Sequence, residues 1–149
     1  MNEDQRQGLL DCIGDRSFNL AMTMNFDFKC LHTISQDNAT RTLRVWDAAI
    51  NRKLLGRNWA RKQDRHLDYF AFLEKLEEFP HYHLLVNAPA QELDFVAREA
   101  RNAWHRLKTA DKSQHGVKIT VLYNQPDWAS YISKELADES WLYSKEFKA

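Results

Sequence analysis

YFAFLEKLEEFPHYHLLVN, from Tyr69 to Asn87, decides how the chain is read. Two apolar runs rich in aromatic or β-branched residues, Tyr69–Leu73 and Tyr82–Val86, flank a short charged segment with one proline, which is a hairpin pattern. His81 and His83 open the second run. Alternate residues of a strand share a face, so both imidazoles point the same way, roughly 6–7 Å apart at the backbone. Tyr82, Leu84 and Val86 then face a core. Glu74 ends the first run, and a hairpin returns it towards His81. Glu77 and Glu78 compete for that place but fall in the predicted turn. Two imidazoles and a carboxylate on one sheet face suit a divalent metal; the competing reading is a pair of packed core histidines.

The remaining sequence bounds what such a hairpin belongs to. A chain of 149 residues is one domain by length and buries enough surface to need no disulfide or zinc staple. Lys plus Arg equals Asp plus Glu at 21 each, so nucleic-acid binding requires a local patch and not a global charge. Cys12 and Cys30 lack metal spacing and read as reduced thiols of a cytoplasmic protein. No apolar run is long enough to span a bilayer, and the polar N-terminus is not a signal peptide.

Outward from the hairpin, residues 1–16 read as a tail or frayed helix ending near Gly14. Phe18–Phe26 alternates as a first strand, with Phe18, Leu20, Met22, Met24 and Phe26 on one face. Leu43, Trp46, Ile50 and Leu54 form a helical stripe over about 38–55, with Ser35, Asp37 and Asn38 as candidate N-caps and Gly56 as the C-terminal cap. After the hairpin, Leu93, Val96, Ala97, Ala100, Trp104 and Leu107 predict a second helix. Val117–Leu122 predicts a strand, and Pro126 and Asp127 start a last helix at Trp128. The order β-α-β-β-α-β predicts an α+β, ferredoxin-like core. Its central antiparallel sheet has helices on one face and the histidines on the other.

Two further stretches carry chemistry. Arg52, Lys53, Arg57, Arg61, Lys62 and Arg65, with Trp59 among them, are either a solvated helix end or a phosphate-tracking surface with a base-stacking aromatic. On the last helix, Tyr131 and Lys134 share the polar face at i, i+3. Tyr131 is either a boundary residue or a nucleophile beside a cation. A phenol with its ordinary pKa near 10 needs such help at neutral pH.

Together these parts resemble the HUH single-strand DNA endonucleases, specifically rolling-circle replication initiators (Rep) of the single-tyrosine type. The metal motif matches His81-Tyr82-His83. Glu74, seven residues before His81, matches the third ligand of parvovirus-type members, and Tyr131 with Lys134 matches the catalytic motif. Leu20–Asn25 fits the first motif loosely. The resemblance covers about residues 17–140 and implies an endonuclease domain over 17–149 after the 1–16 tail. It implies Mg²⁺ or Mn²⁺, single-stranded DNA carrying an origin hairpin as partner, and nicking and joining through a 5′-phosphotyrosine at Tyr131. Arg57, Trp59, Arg61, Lys62 and Arg65 are the expected DNA-binding residues. Without a Walker A signature, unwinding is expected to fall to a separate host helicase. The rivals are a non-catalytic module of RNA-recognition-like fold and a single-tyrosine transposase of the same group, which is not expected to carry the lysine.

Overall fold

The quoted stretch is a hairpin. Strands β2 (Asp68–Glu74) and β3 (His81–Asn87) pair antiparallel, with Asp68 opposite Asn87, Phe72 opposite His83 and Glu74 opposite His81. The reversal starts at Lys75, in the left-handed region with φ 51°, and the Glu78 amide donates to the Lys75 carbonyl at 2.9 Å. A computed structural model describes residues 2–14, 17–122 and 141–147. The expected last helix, with Tyr131 and Lys134, lies outside the described residues.

Strand β1 (Leu20–Asn25) pairs with the free side of β3, and β4 (Val117–Val121) pairs with the far side of β1. With β5 (Trp141–Tyr143) on β2, the antiparallel sheet has five strands in the order β4-β1-β3-β2-β5. The molecule is therefore α+β. Helix α2 (Gln36–Leu55) connects β1 to β2, leaving room for β3 between them, and α3 (Leu93–His105) connects β3 to β4.

Both connecting helices cover one face. Ser35 is the N-cap of α2, its hydroxyl accepting from the Asn38 amide at 3.1 Å, and Gly56, at φ 83°, ends the helix in a conformation that disfavours a side chain. Ala39, Leu43, Trp46 and Ile50 of α2 and Val96, Ala100 and Trp104 of α3 are buried against Leu20, Met22, Met24, Tyr69, Ala71, Leu73, Tyr82, Leu84 and Val86. Indole N–H groups bind this layer together: Trp46 donates to the Ala100 carbonyl at 3.0 Å, and Trp104 to the Asn25 carbonyl at 2.9 Å. The Tyr69 hydroxyl, also buried, donates to Asp47 of α2 at 2.8 Å. The second helix stops at His105, so Arg106 is its cap and Leu107 lies beyond it.

The opposite face is divided. At one end Phe18, Phe70, Phe72 and Leu85 make a second apolar cluster. Such a patch needs a cover. The segment read as a tail or frayed helix supplies it: α1 (Glu3–Gly14) buries Leu9 and Ile13 there. Helices thus lie on both faces, whereas the sequence suggested one. Trp141 and Tyr143 pack on the same cluster, the Tyr143 ring stacked on Phe70 at 4.6 Å. Burial of the β2 run on both faces explains why five successive residues, Tyr69–Leu73, are apolar. The other end of this face carries Thr23, Glu74, His81 and His83. No helix among the described residues is long and apolar enough to cross a membrane.

Candidate metal centre

Strand alternation sends Tyr82, Leu84 and Val86 into the main core and leaves His81 and His83 on the divided face. The hairpin register then sets Glu74 directly opposite His81. Their side chains converge. Glu74 Oε2 lies 3.1 Å from His81 Nε2 and 3.0 Å from His83 Nε2, and the two Nε2 atoms are 3.1 Å apart. The three side chains retain only 12–15% of their exposure.

Each ring is held from behind. His81 Nδ1 donates to the Phe79 carbonyl at 2.8 Å, which turns the lone pair of a neutral His81 Nε2 towards the carboxylate. His83 Nδ1 is 2.9 Å from Thr23 Oγ1 on β1. With Nδ1 protonated, His83 also aims its Nε2 lone pair at the same point. Backing of this kind fixes tautomer and ring orientation in metal-binding histidines.

Three electron-rich atoms this close repel unless a cation lies between them. A proton on His81 is one solution. Burial pushes the Glu74 carboxyl up, but hydrogen bonds and charge from the two histidines outweigh it and bring it down to about 2. Burial likewise pushes His81 down, and its bonds to Glu74 and the Phe79 carbonyl outweigh that and raise it.

A divalent metal is the other solution, and the residues fit one. Neighbouring ligands of an octahedral ion at about 2.0–2.1 Å stand about 2.9 Å apart; tetrahedral zinc with nitrogen ligands needs about 3.3 Å. The observed edges of 3.0–3.1 Å fall between the two figures, within reach of either ion. Glu74 Oε1 is buried with no hydrogen-bond partner among the described residues, leaving a second carboxylate oxygen for a ligand that a shared proton does not satisfy. Among the described residues, Glu74, His81 and His83 form the one group of this kind.

The basic segment lies elsewhere. It precedes Asp68, at the end of β2 opposite Glu74, about 20 Å along the strand. Arg57, Arg61 and Arg65 are exposed there. Lys62 donates to the Leu55 carbonyl at 3.0 Å, closing the end of α2, and Trp59 packs between Arg52 and the His66 ring. Trp59 and Lys62 thus already have structural partners. Arg65 also borders a cleft of 670 Å³ with His66, Asp68, Glu92 and Lys145.

Two supporting groups escaped the sequence reading. Alternation put Thr23 on the correct face, but its pairing with His83 depends on the β1–β3 register, which no local pattern reveals. The Phe79 carbonyl is a backbone group, and no side-chain motif could announce it. No family model, curated protein or solved structure matches the chain.

Proposed function

We propose that the chain is a metal-dependent HUH-type endonuclease that nicks and rejoins single-stranded DNA, as a rolling-circle replication initiator does. The observation that carries this reading is the Glu74–His81–His83 triangle, with Nε2, Nε2 and Oε2 converging at 3.0–3.1 Å on a sheet face. The β4-β1-β3-β2 order with two crossover helices supports treating the core as ferredoxin-like.

Glu74, His81 and His83 would hold Mg²⁺ or Mn²⁺, which when bound supplies Lewis-acid polarisation of a phosphate oxygen. Thr23 and the Phe79 carbonyl keep both rings aimed at the shared point, so the ligands need little reorganisation. Tyr131 is the proposed nucleophile. Its phenolic oxygen forms the bond to phosphorus, the P–O3′ bond breaks, and the 3′ oxygen leaves with a proton as a free hydroxyl. The 5′ phosphate stays on Tyr131. Attack by a 3′-hydroxyl reverses the step and rejoins the strand. Lys134, three residues on in sequence, is the proposed cation that offsets negative charge on the phenolate or phosphate.

The test is incubation with a labelled single-stranded hairpin oligonucleotide and Mn²⁺. Wild-type protein should give an adduct that survives boiling in detergent, and Tyr131→Phe should give none while still binding DNA. Equal adduct from both proteins removes Tyr131 from the role. Binding without adduct from wild type favours a non-catalytic nucleic-acid module.

A further inference from the structure

Phe28 and Phe79 are large apolar side chains left in solvent, 71% and 60% exposed. They come from separate segments, yet their rings stack with centroids 6.3 Å apart and planes 27° apart. Phe79 precedes His81 by two residues, about 6–7 Å of extended chain. Its carbonyl is the one that holds His81.

Backbone bonds pin both positions. The Phe26 amide donates to the Pro80 carbonyl at 3.3 Å, and the Asp27 amide to the Thr109 carbonyl at 2.7 Å. Asp27 then caps the 3₁₀ turn Phe28–Thr33 by accepting from the Lys29 amide. The rings are therefore presented at a fixed place beside the triangle, outside both apolar clusters. Charged residues of both signs flank them in sequence. Lys29 follows Phe28 and is exposed. Lys75 follows Glu74 and is exposed, and Asp27, Glu77 and Glu78 stand beside the same two rings in sequence.

We propose that the Phe28–Phe79 pair is a stacking platform for an unpaired nucleobase of a single strand whose adjoining phosphate lies at the Glu74–His81–His83 group. The inference rests on the DNA-acting reading of that group. Exposed aromatic faces match flat bases, the metal-binding group beside them matches a phosphate, and stacking tolerates any base sequence. A strand suits this place better than a second protein surface, because the aromatic pair adjoins a metal-binding group that suits a phosphate, and with Asp27, Glu77 and Glu78 beside the rings it is that group and not the lysines that receives the backbone charge. The pair also supplies, next to the candidate metal site, the aromatic contact that Trp59, which precedes the far end of β2 and packs against Arg52 and His66, does not offer there.

The experiment measures fluorescence-anisotropy binding of a labelled oligo-dT and of an abasic oligomer of equal length. Wild type, F28A/F79A and F28W/F79W are compared, with Mn²⁺ affinity and melting temperature recorded for each. F28A/F79A should lose about tenfold or more in affinity for oligo-dT and little for the abasic strand. F28W/F79W should retain wild-type binding, and Mn²⁺ affinity should stay unchanged in all, since the Phe79 carbonyl survives every substitution. If the double variant melts early, F28A alone repeats the test, at the more exposed of the two rings.

Undiminished oligo-dT binding by F28A/F79A overturns the proposal, as does an equal loss on both probes. A change in gel-filtration elution with DNA binding intact assigns the pair to self-association and also overturns it. Loss of base-dependent binding in a protein that never forms a DNA adduct keeps the stacking site and removes the nuclease reading. Adduct formation with unaltered binding by F28A/F79A does the reverse. Failure of wild type to bind oligo-dT overturns the stacking proposal, and the adduct assay on the hairpin oligonucleotide decides the nuclease reading separately.

Discussion

Replacing Thr23 by valine keeps the shape of the β1 side chain and deletes the hydroxyl 2.9 Å from His83 Nδ1. Thr23 touches no ion itself, so any effect on metal binding has to pass through the orientation of the His83 ring. Loss of such a backing bond typically weakens metal affinity about 10- to 100-fold. At a Mn²⁺ concentration about 100 times the wild-type Kd, the ion stabilises wild-type protein by about 2.7 kcal/mol. At the same concentration, a site weakened 10- to 100-fold gives about 1.4 to 0.4 kcal/mol. For a chain of 149 residues each kcal/mol moves Tm by about 2–4 °C, so the wild-type shift is about 5–11 °C. The T23V shift should fall to between about one half and one seventh of that. Differential scanning fluorimetry with and without Mn²⁺, read as a difference within each protein, removes any cost of T23V to the metal-free fold. T23S, which keeps the hydroxyl, should recover the wild-type shift. An unreduced shift in T23V would refute the claim that Thr23 positions a ligand.

Above pH 6.5 the stability of the metal-free protein and its affinity for metal should run in opposite directions. Glu74, lowered to about 2 from 4.5, contributes stability that is present above 4.5 and lost as pH falls towards 2. His81, raised above 6.5, contributes stability that is full below 6.5 and lost as pH rises through its folded value. The metal-free triangle is therefore most stabilising between those limits. Mn²⁺ needs the His81 proton removed, so its apparent affinity should fall as pH drops through that raised value; calorimetric titrations between pH 6 and 8 that show no trend contradict this. Leu9→Ala should destabilise the protein by about 2–5 kcal/mol in urea unfolding, because Leu9 of α1 is 6% exposed in the second cluster; an unchanged midpoint makes α1 dispensable. Changing Arg57, Arg61 and Arg65 together to glutamine should flatten the log–log salt dependence of single-strand binding by about 2 if all three meet phosphates. An unchanged slope removes the basic segment from the DNA path.

The hairpin was the most legible part of the chain because its two signals coincide. The alternation of Tyr82, Leu84 and Val86 against His81 and His83 set the face, and the position of Glu74 on the partner strand set a plausible neighbour. The register that makes Glu74 oppose His81 was not legible, since it depends on the left-handed Lys75 and a turn without glycine or asparagine at that position. The role of α1 was obscured by its composition. Among the described side chains of this polar helix only Leu9 and Ile13 are buried, and the cluster they cover is assembled from three other segments. Strand β5 is three residues long, and it exists because β2 offers a free edge, a tertiary cause with no local pattern. The basic segment was legible as a patch, but its separation from the triangle follows from the direction of β2, and Lys62 and Trp59 are taken up by local packing.

Direct titration with Mn²⁺ tests the central claim that Glu74, His81 and His83 form a metal centre. Electron paramagnetic resonance of free Mn²⁺ should show one ion taken up per wild-type chain and none by H81A/H83A, with circular dichroism confirming that the variant remains folded. Equal uptake by the two proteins, or none by wild type at millimolar Mn²⁺, would contradict the account and leave the triangle as a proton-sharing pair of histidines beside a carboxylate.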